Sequence, residues 1–238
     1  MDWAACVLPR HGEDVHFGHA ETSFVGRGWW VPGVRRGRQR VHAGAHGERP
    51  GEGGAGGQAP PPAPQECAGE GVRDGSHQWH AVILLLDRMT LRWAYIGDNA
   101  FTVLRDGKIV CRSVQQQHCF NCPYQLSSGS NGDRLTKAKV GEMSAMRDDD
   151  VVVVGTDGLF DNMRDEQLER AVSLGAELGF SPKNMADVVA GIAYQISEDK
   201  CVDSPFSREF SKAYGEPWCG GKKDDITVIV AYIVAKNS

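Results

Sequence analysis

The spacing of apolar positions changes along the chain, and each change marks a different kind of element. Ala81 to Leu86 is an unbroken apolar run and Leu91 to Ile96 a second, joined by a short connection at Asp87 to Thr90. Runs of this length predict buried neighbouring strands. Phe101 to Leu104 and Lys108 to Cys111 flank Asp106-Gly107, a dipeptide suited to the turn of a two-residue hairpin. Val151 to Val154 and Ile226 to Val234 supply inner strands. Between these the period switches to three and four. Met185, Val188, Val189, Ile192, Ala193 and Ile196 share one face of a helix with Ser181 as its cap and Pro182 at its first position. A preceding helix, from about Asp165 to Leu178, carries Leu168, Val172 and Leu178 inward, with Asp165 and Glu166 at its positive end. Hairpin-linked strands with amphipathic helices predict an α+β fold of sheets packed together and covered by helices, not a doubly wound parallel sheet.

The pattern is interrupted once. Between Gly26 and Gly75, fourteen of fifty residues are Gly, seven are Arg and six are Pro, and Leu, Ile, Phe, Met and Tyr are absent. Such a segment has too little apolar surface to offset the entropy of ordering it, which predicts a disordered insert within one domain spanning residues 1–238. Its Gly51-Glu52-Gly53-Gly54-Ala55-Gly56 run satisfies a dinucleotide-binding pattern, but no strand precedes it, so it reads as chance. The Arg35 to Arg40 cluster shares the stretch with five acids and has no interleaved aromatics.

Charge and length narrow the function classes. The net charge is −5, which together with the mixed charges around Arg35 argues against a nucleic-acid partner. No apolar stretch is long enough to cross a bilayer. A chain of 238 residues with 41% hydrophobic residues suits one catalytic domain, expected to act as a monomer. The seven cysteines are odd in number and scattered, unlike a secreted disulfide framework. Cys119 and Cys122 have metal-type spacing without a second ligand pair, and read as ordinary thiols.

The candidate chemistry lies where acids meet buried strands. Val151 to Val154 runs into Thr156-Asp157-Gly158-Leu159-Phe160-Asp161-Asn162, and Asp224-Asp225 leads straight into Ile226. Carboxylates at the mouth of an apolar strand are costly unless a cation receives them, and a hard divalent metal is the natural receiver. Glu13-Asp14 near the N-terminus is a third acidic pair. Asp-Gly pairs alone are also common turn residues, so these acids by themselves leave a metal site and plain turns both open. His11, His16, His19, His77 and His80 read as solvent-exposed or strand-edge side chains rather than ligands.

Several ordered motifs then point one way. Ala94 to Phe101, Gln115 to Leu126, Thr156 to Asn162 and Gly220 to Val228 resemble the type 2C, metal-dependent protein serine/threonine phosphatases, most closely their compact organellar branch related to the T-cell activation protein phosphatase. The resemblance is strong from Ser76 onward and weak over Gly12 to Val25. It implies an α-β-β-α sandwich of two mostly antiparallel sheets, two Mn²⁺ or Mg²⁺ ions in a cleft, a phosphoprotein substrate, and hydrolysis by a bridging hydroxide. It further implies metal ligation by Glu13, Asp157 and Asp224, with Asp157 and Asp224 the catalytic pair. Asp14, Asp161 and Asp225 match supporting positions beside the ligands, Asp98 a turn residue, and Arg10 a phosphate-binding residue. The branch suggests a mitochondrion or chloroplast, otherwise the cytoplasm.

One departure matters. Family members bridge both metals with an Asp in an Asp-Gly-Val-Gly-Gly-like run, and that place here reads Gly26-Arg27-Gly28-Trp29-Trp30. Without a bridging anion two close dications repel strongly. The chain therefore has an alternative reading as a catalytically impaired, phosphatase-like binding protein; a hydrolase of small phosphate esters is a third. The same five residues are encodable by codons that, read one base later, give Asp-Gly-Val-Gly-Gly. Residues 26–75 are on this hypothesis an out-of-frame insert, which a single uninterrupted frame in the transcript would remove.

Overall fold

The structure, a computed structural model, describes residues 2–8, 14–19, 22–27, 78–127 and 132–234, with side chains for 2–8, 80–126 and 132–234. The strands in chain order are β1 (Asp2–Leu8), β2 (Asp14–His19), β3 (Thr22–Arg27), β4 (Gln78–Trp79), β5 (Ala81–Asp87), β6 (Thr90–Ile96) and β7 (Ala100–Arg105). They continue with β8 (Lys108–Arg112), β9 (Gln117–Cys119), β10 (Cys122–Pro123), β11 (Leu126–Ser127), β12 (Lys139–Met143), β13 (Val151–Gly155) and β14 (Ile226–Tyr232). The helices are α1 (Asp157–Phe160), α2 (Asp165–Glu177), α3 (Pro182–Glu198) and α4 (Pro205–Tyr214).

Two five-stranded sheets form the centre, one ordered β1-β14-β13-β7-β8 and the other β12-β6-β5-β3-β2. Every pairing within them is antiparallel. α1, α2 and α3 pack on strands of the first sheet. The alternation of side chains across a strand explains the rest. In β7, β13 and β14, Ala100, Leu104, Val151, Val153, Ile226, Val228 and Val230 face the helices, where they meet Leu168, Val172, Met185 and Val189. The residues between them, Phe101, Val103, Val152, Val154, Ile229 and Ala231, face Val82, Leu84, Leu91 and Tyr95 of the second sheet. Strands buried on both faces have no polar side to show, and so read as continuous apolar runs. Each fully buried Val, Leu or Ile stabilises the fold by roughly 1.5–3 kcal/mol.

The turns hold these layers in register. Asp106 and Gly107 both adopt left-handed backbone, φ 51° and 73°, as a two-residue turn matched to strand twist requires. The β5–β6 connection does the same with Arg88 and Met89, φ 46° and 60°, where no glycine relieves the conformation. Met89 packs against the core between the sheets, which offsets that strain.

The helix expectations need two corrections. α2 ends at Glu177, so Leu178 is its C-terminal cap and 62% exposed rather than inward. In α3 the buried face is Met185, Ala186, Val189, Ala190 and Ala193, and Val188 lies off it. Ser181 does cap α3, its hydroxyl accepting from the Asn184 N–H. β3 includes Gly26 and Arg27, opposite Val15 and Asp14, while the remainder of the Gly- and Arg-rich stretch lies outside the described residues.

Candidate active site

The order of strands in the first sheet sets the site. β13 lies between β7 and β14, with Gly155 opposite both Ala100 and Val228, so the last residue of β13 faces the first turns of its neighbours. Asp157 and Asp161 follow β13, Asp224 and Asp225 precede β14, and Asp98 precedes β7. Three strand ends thus deliver carboxylates to one sheet edge. Thr156 ties two of them together: its hydroxyl donates to the Asp225 carbonyl at 3.2 Å and accepts from the Thr227 N–H at 3.1 Å. α1 then starts so close to β14 that a Cβ on Gly158 would stand 2.1 Å from the Asp225 carbonyl oxygen. Glycine is the residue that allows this approach.

At the centre of the acids sits an ammonium. Lys222 Nζ is 2.7 Å from Asp157 Oδ2, 2.9 Å from Asp161 Oδ2 and 3.4 Å from Asp224 Oδ2, with its side chain 15% exposed. Asn162 fixes the lysine from below, donating to the Lys222 carbonyl and accepting from its N–H, both at 2.8 Å. Ser204 donates to the Gly220 carbonyl at 2.7 Å and secures the same loop to the start of α4. The Phe206 ring centroid lies 5.7 Å from the ammonium. Burial alone would lower the Lys222 pKa, but the fields of Asp157, Asp161, Asp224 and Asp98 hold it well above the ordinary lysine value. The Asp161 carboxyl is raised to about 6, by burial first and then by the fields of Asp157 and Asp98, against the opposing pull of Lys222. Gln115 Nε2 donates to Asp161 Oδ1 at 3.3 Å.

The expected residues fall into three groups. Asp157, Asp161 and Asp224 converge on one cation, and Asp225 is buried beside them. Arg10 and Glu13 lie outside the described residues, and Asp14 is described by its backbone in β2 alone. Asp98, a turn residue by sequence, is 2% exposed, and its Oδ1 lies 2.8 Å from His80 Nδ1 in a contact too poorly aligned to be a hydrogen bond. His80 is correspondingly buried, not exposed as its strand-edge position suggested. Cys122 is a free thiol, but Cys119 is disulfide-bonded, which corrects the reading of that pair as ordinary thiols. The sequence reading missed Lys222, Asn162 and Gln115 as site residues. Lys222 had a signal in its position two residues before Asp224.

Among the described residues no group of three His, Cys, Asp or Glu side chains is already closed into a metal shell. The acids stand instead at hydrogen-bond distance around the ammonium, which is itself a stand-in cation. Hard carboxylate oxygens from separate strand ends are the donor set that Mg²⁺ or Mn²⁺ takes. The residues present fit such an ion.

No family model matches the chain. A putative protein phosphatase 2C 23 of Oryza sativa subsp. japonica is 46% identical over 263 aligned residues, covering 100% of this chain and 76% of that relative. The chain belongs to the protein phosphatase 2C family. This protein phosphatase 2C is thereby a metal-dependent protein serine/threonine phosphatase, with phosphoproteins as its substrate class. A second rice relative, putative protein phosphatase 2C 24, is 44% identical with 98% of this chain and 77% of its own length covered. Among solved structures, that of the photosystem II phosphatase PBCP superposes with a TM-score of 0.70 at 22% identity, covering 97% of this chain and 98% of that one. The catalytic domain of the serine/threonine phosphatase PstP, in complex with two manganese ions, does so with a TM-score of 0.55 at 14% identity over 98% of each chain. Both likenesses establish the α+β sandwich of this phosphatase 2C. None of its helices, among the described residues, is long and apolar enough to cross a membrane.

Proposed function

We propose that this chain hydrolyses phosphoserine and phosphothreonine at the sheet edge where Asp157 and Asp224 meet, as one domain interrupted by the insert read at residues 26–75, of which Gly26 and Arg27 belong to β3. The supporting observation is the convergence of Asp157, Asp161 and Asp224 on a single buried cation. Asp157 and Asp224, with Glu13, would hold Mn²⁺ or Mg²⁺, and Arg10 would bind the phosphate. When bound, the ions polarise the phosphoryl oxygens and make a water acidic enough to attack at neutral pH. Asp157 and Asp224 each accept the N–H of the next residue on Oδ1, at 3.0 and 2.9 Å, which aims the other oxygen at the centre. Asp161 is held by Gln115 and serves as a supporting acid beside the ligands, as do Asp14 and Asp225.

The test is Mn²⁺-dependent release of phosphate from a phosphothreonine peptide. Asp157→Asn, which keeps shape but removes the charge, is expected to lower turnover by at least about a hundredfold, the scale at which loss of a key electrostatic group acts. Wild type that binds the peptide without turning it over, at saturating Mn²⁺, would favour the impaired binding protein instead. An organellar location belongs to the same reading. It is supported by the branch resemblance and by the fold likeness to PBCP, and a purely cytosolic signal on fractionation would contradict it.

A further inference from the structure

Beside the acidic centre, on the side of Gln115, lies a cleft of about 400 Å³ that the phosphatase chemistry does not use. Gln115, Gln116, Gln117, Tyr124, Lys137 and Lys139 line it. Gln115 belongs to both places, since its amide donates to Asp161 at 3.3 Å while its side chain forms the cleft wall. One side chain separates the two. Gln116 is 7% exposed, and its amide nitrogen is committed to the Lys137 carbonyl at 2.9 Å. That bond fixes the orientation of the amide, and its Oε1 is buried with no partner among the described residues. Lys137 and Lys139 are exposed at the rim, and neither takes part in an ion pair among the described residues.

We propose that this cleft seats the polypeptide residues flanking the phosphoamino acid and selects substrates whose flanks are acidic. The inference rests on the phosphatase reading of the Asp157–Asp224 edge. An extended chain advances roughly 3.3 Å per residue, so a peptide with its phosphate at the acidic centre reaches past Gln115 within a few residues. Its carboxylates meet the ammonium groups of Lys137 and Lys139 at the rim, while the buried Gln116 amide, held by the Lys137 carbonyl, keeps the cleft wall in place. A hydroxyl-rich or apolar flank satisfies neither lysine, and a basic flank is repelled by both.

The test uses the full chain with saturating Mn²⁺ and three substrates: p-nitrophenyl phosphate, a phosphothreonine peptide flanked by Asp and Glu, and the same peptide flanked by Lys and Arg. Wild type is expected to prefer the acidic peptide by roughly three- to tenfold in kcat/KM, carried by KM, as two exposed ion pairs allow. The preference fades as ionic strength rises. In the Lys137→Glu/Lys139→Glu variant the ratio of acidic to basic peptide falls to one or inverts, with the unfolding midpoint unchanged. Wild type that turns over p-nitrophenyl phosphate yet shows no acidic preference overturns this inference and leaves the phosphatase reading intact; so does a preference that survives the charge reversal. Wild type without Mn²⁺-dependent turnover of any of the three overturns the phosphatase reading itself.

Discussion

Replacing Lys222 with methionine tests the centre most directly. Methionine keeps the length of the buried stem and removes the ammonium shared by Asp157, Asp161 and Asp224 at 2.7, 2.9 and 3.4 Å. Breaking a buried ion pair by deleting one partner costs about 3–5 kcal/mol, because the remaining charge stays desolvated. Lys222 is 15% exposed, so solvent relieves little of this. A domain of this size shifts its Tm by roughly 2–4 °C per kcal/mol, and the metal-free variant should therefore melt roughly 6–20 °C below wild type. Mn²⁺ changes the comparison, since a dication supplies what the ammonium supplied. At saturating Mn²⁺ the gap between variant and wild type should shrink to a few degrees, and the variant should bind Mn²⁺ more tightly because no ammonium has to leave. Differential scanning calorimetry with chelator and with Mn²⁺, and calorimetric titration of the metal, measure both. An equal loss of Tm in the two conditions would refute the idea that the ammonium and the metal serve the same acids; so would no loss in chelator.

Two further outcomes follow from contacts around the sheet. At the edge opposite the site, Asp150 receives Arg105 through two bonds of 2.8 and 2.7 Å and the Arg147 N–H at 2.7 Å. Burial raises the Asp150 pKa, but these donors outweigh it and hold the carboxyl below its ordinary value. A depressed carboxyl stabilises above its unfolded pKa of about 3.9 and loses that contribution as pH falls through the folded value. Asp150→Asn should thus cost about 2–3 kcal/mol at pH 7, less than a fully buried pair because Arg105 keeps part of its surface in water, and in urea unfolding the difference should narrow as pH falls below about 3.9 and close only below the lowered folded value. Gly158→Ala places a methyl 2.1 Å from the Asp225 carbonyl oxygen, so main chain must move. An unfolding midpoint lowered by about 1–3 kcal/mol and a weaker Mn²⁺ titration are expected, and a variant that matches wild type in both contradicts the close approach of α1 to β14.

Much of the fold was legible because its central strands are buried on two sides. Val151 to Val154 and Ile226 to Tyr232 have no solvent face, so no register had to be guessed to find them. The edge strands were harder. β12, Lys139–Met143, leaves Lys139, Val140 and Glu142 exposed and offers no alternation to read. α4 was missed although Ser204 and Pro205 repeat the cap-and-proline start that revealed α3, and Ser204 accepts the Ser207 N–H as such a cap should. It spans ten residues, and its buried aromatics, Phe206 and Phe210, make too short a stripe to register as a period. Their partners lie outside the helix: Phe120, far away in sequence, stacks on Phe206 at 5.2 Å, and Trp218, just past the helix, on Phe210 at 5.2 Å.

The acids of the site could be read because a charge at the mouth of an apolar strand is conspicuous, whereas their partners could not. A lysine in Gly220-Gly221-Lys222-Lys223 reads as solvated, and it is the pairing of Asn162 with both main-chain groups of Lys222 that turns it inward. The consequence bears on the departure at Gly26 to Trp30. The Lys222 ammonium stands 2.7 and 3.4 Å from Asp157 and Asp224, longer than the about 2.0–2.1 Å of Mg²⁺ to oxygen, so these two acids would hold an ion only after side-chain adjustment. One ion is thus within reach of the residues that β13 and β14 carry. A second ion close to the first would need an anion between them, and the sequence at the end of β3, Gly26-Arg27 with Arg27 paired opposite Asp14, supplies no carboxylate.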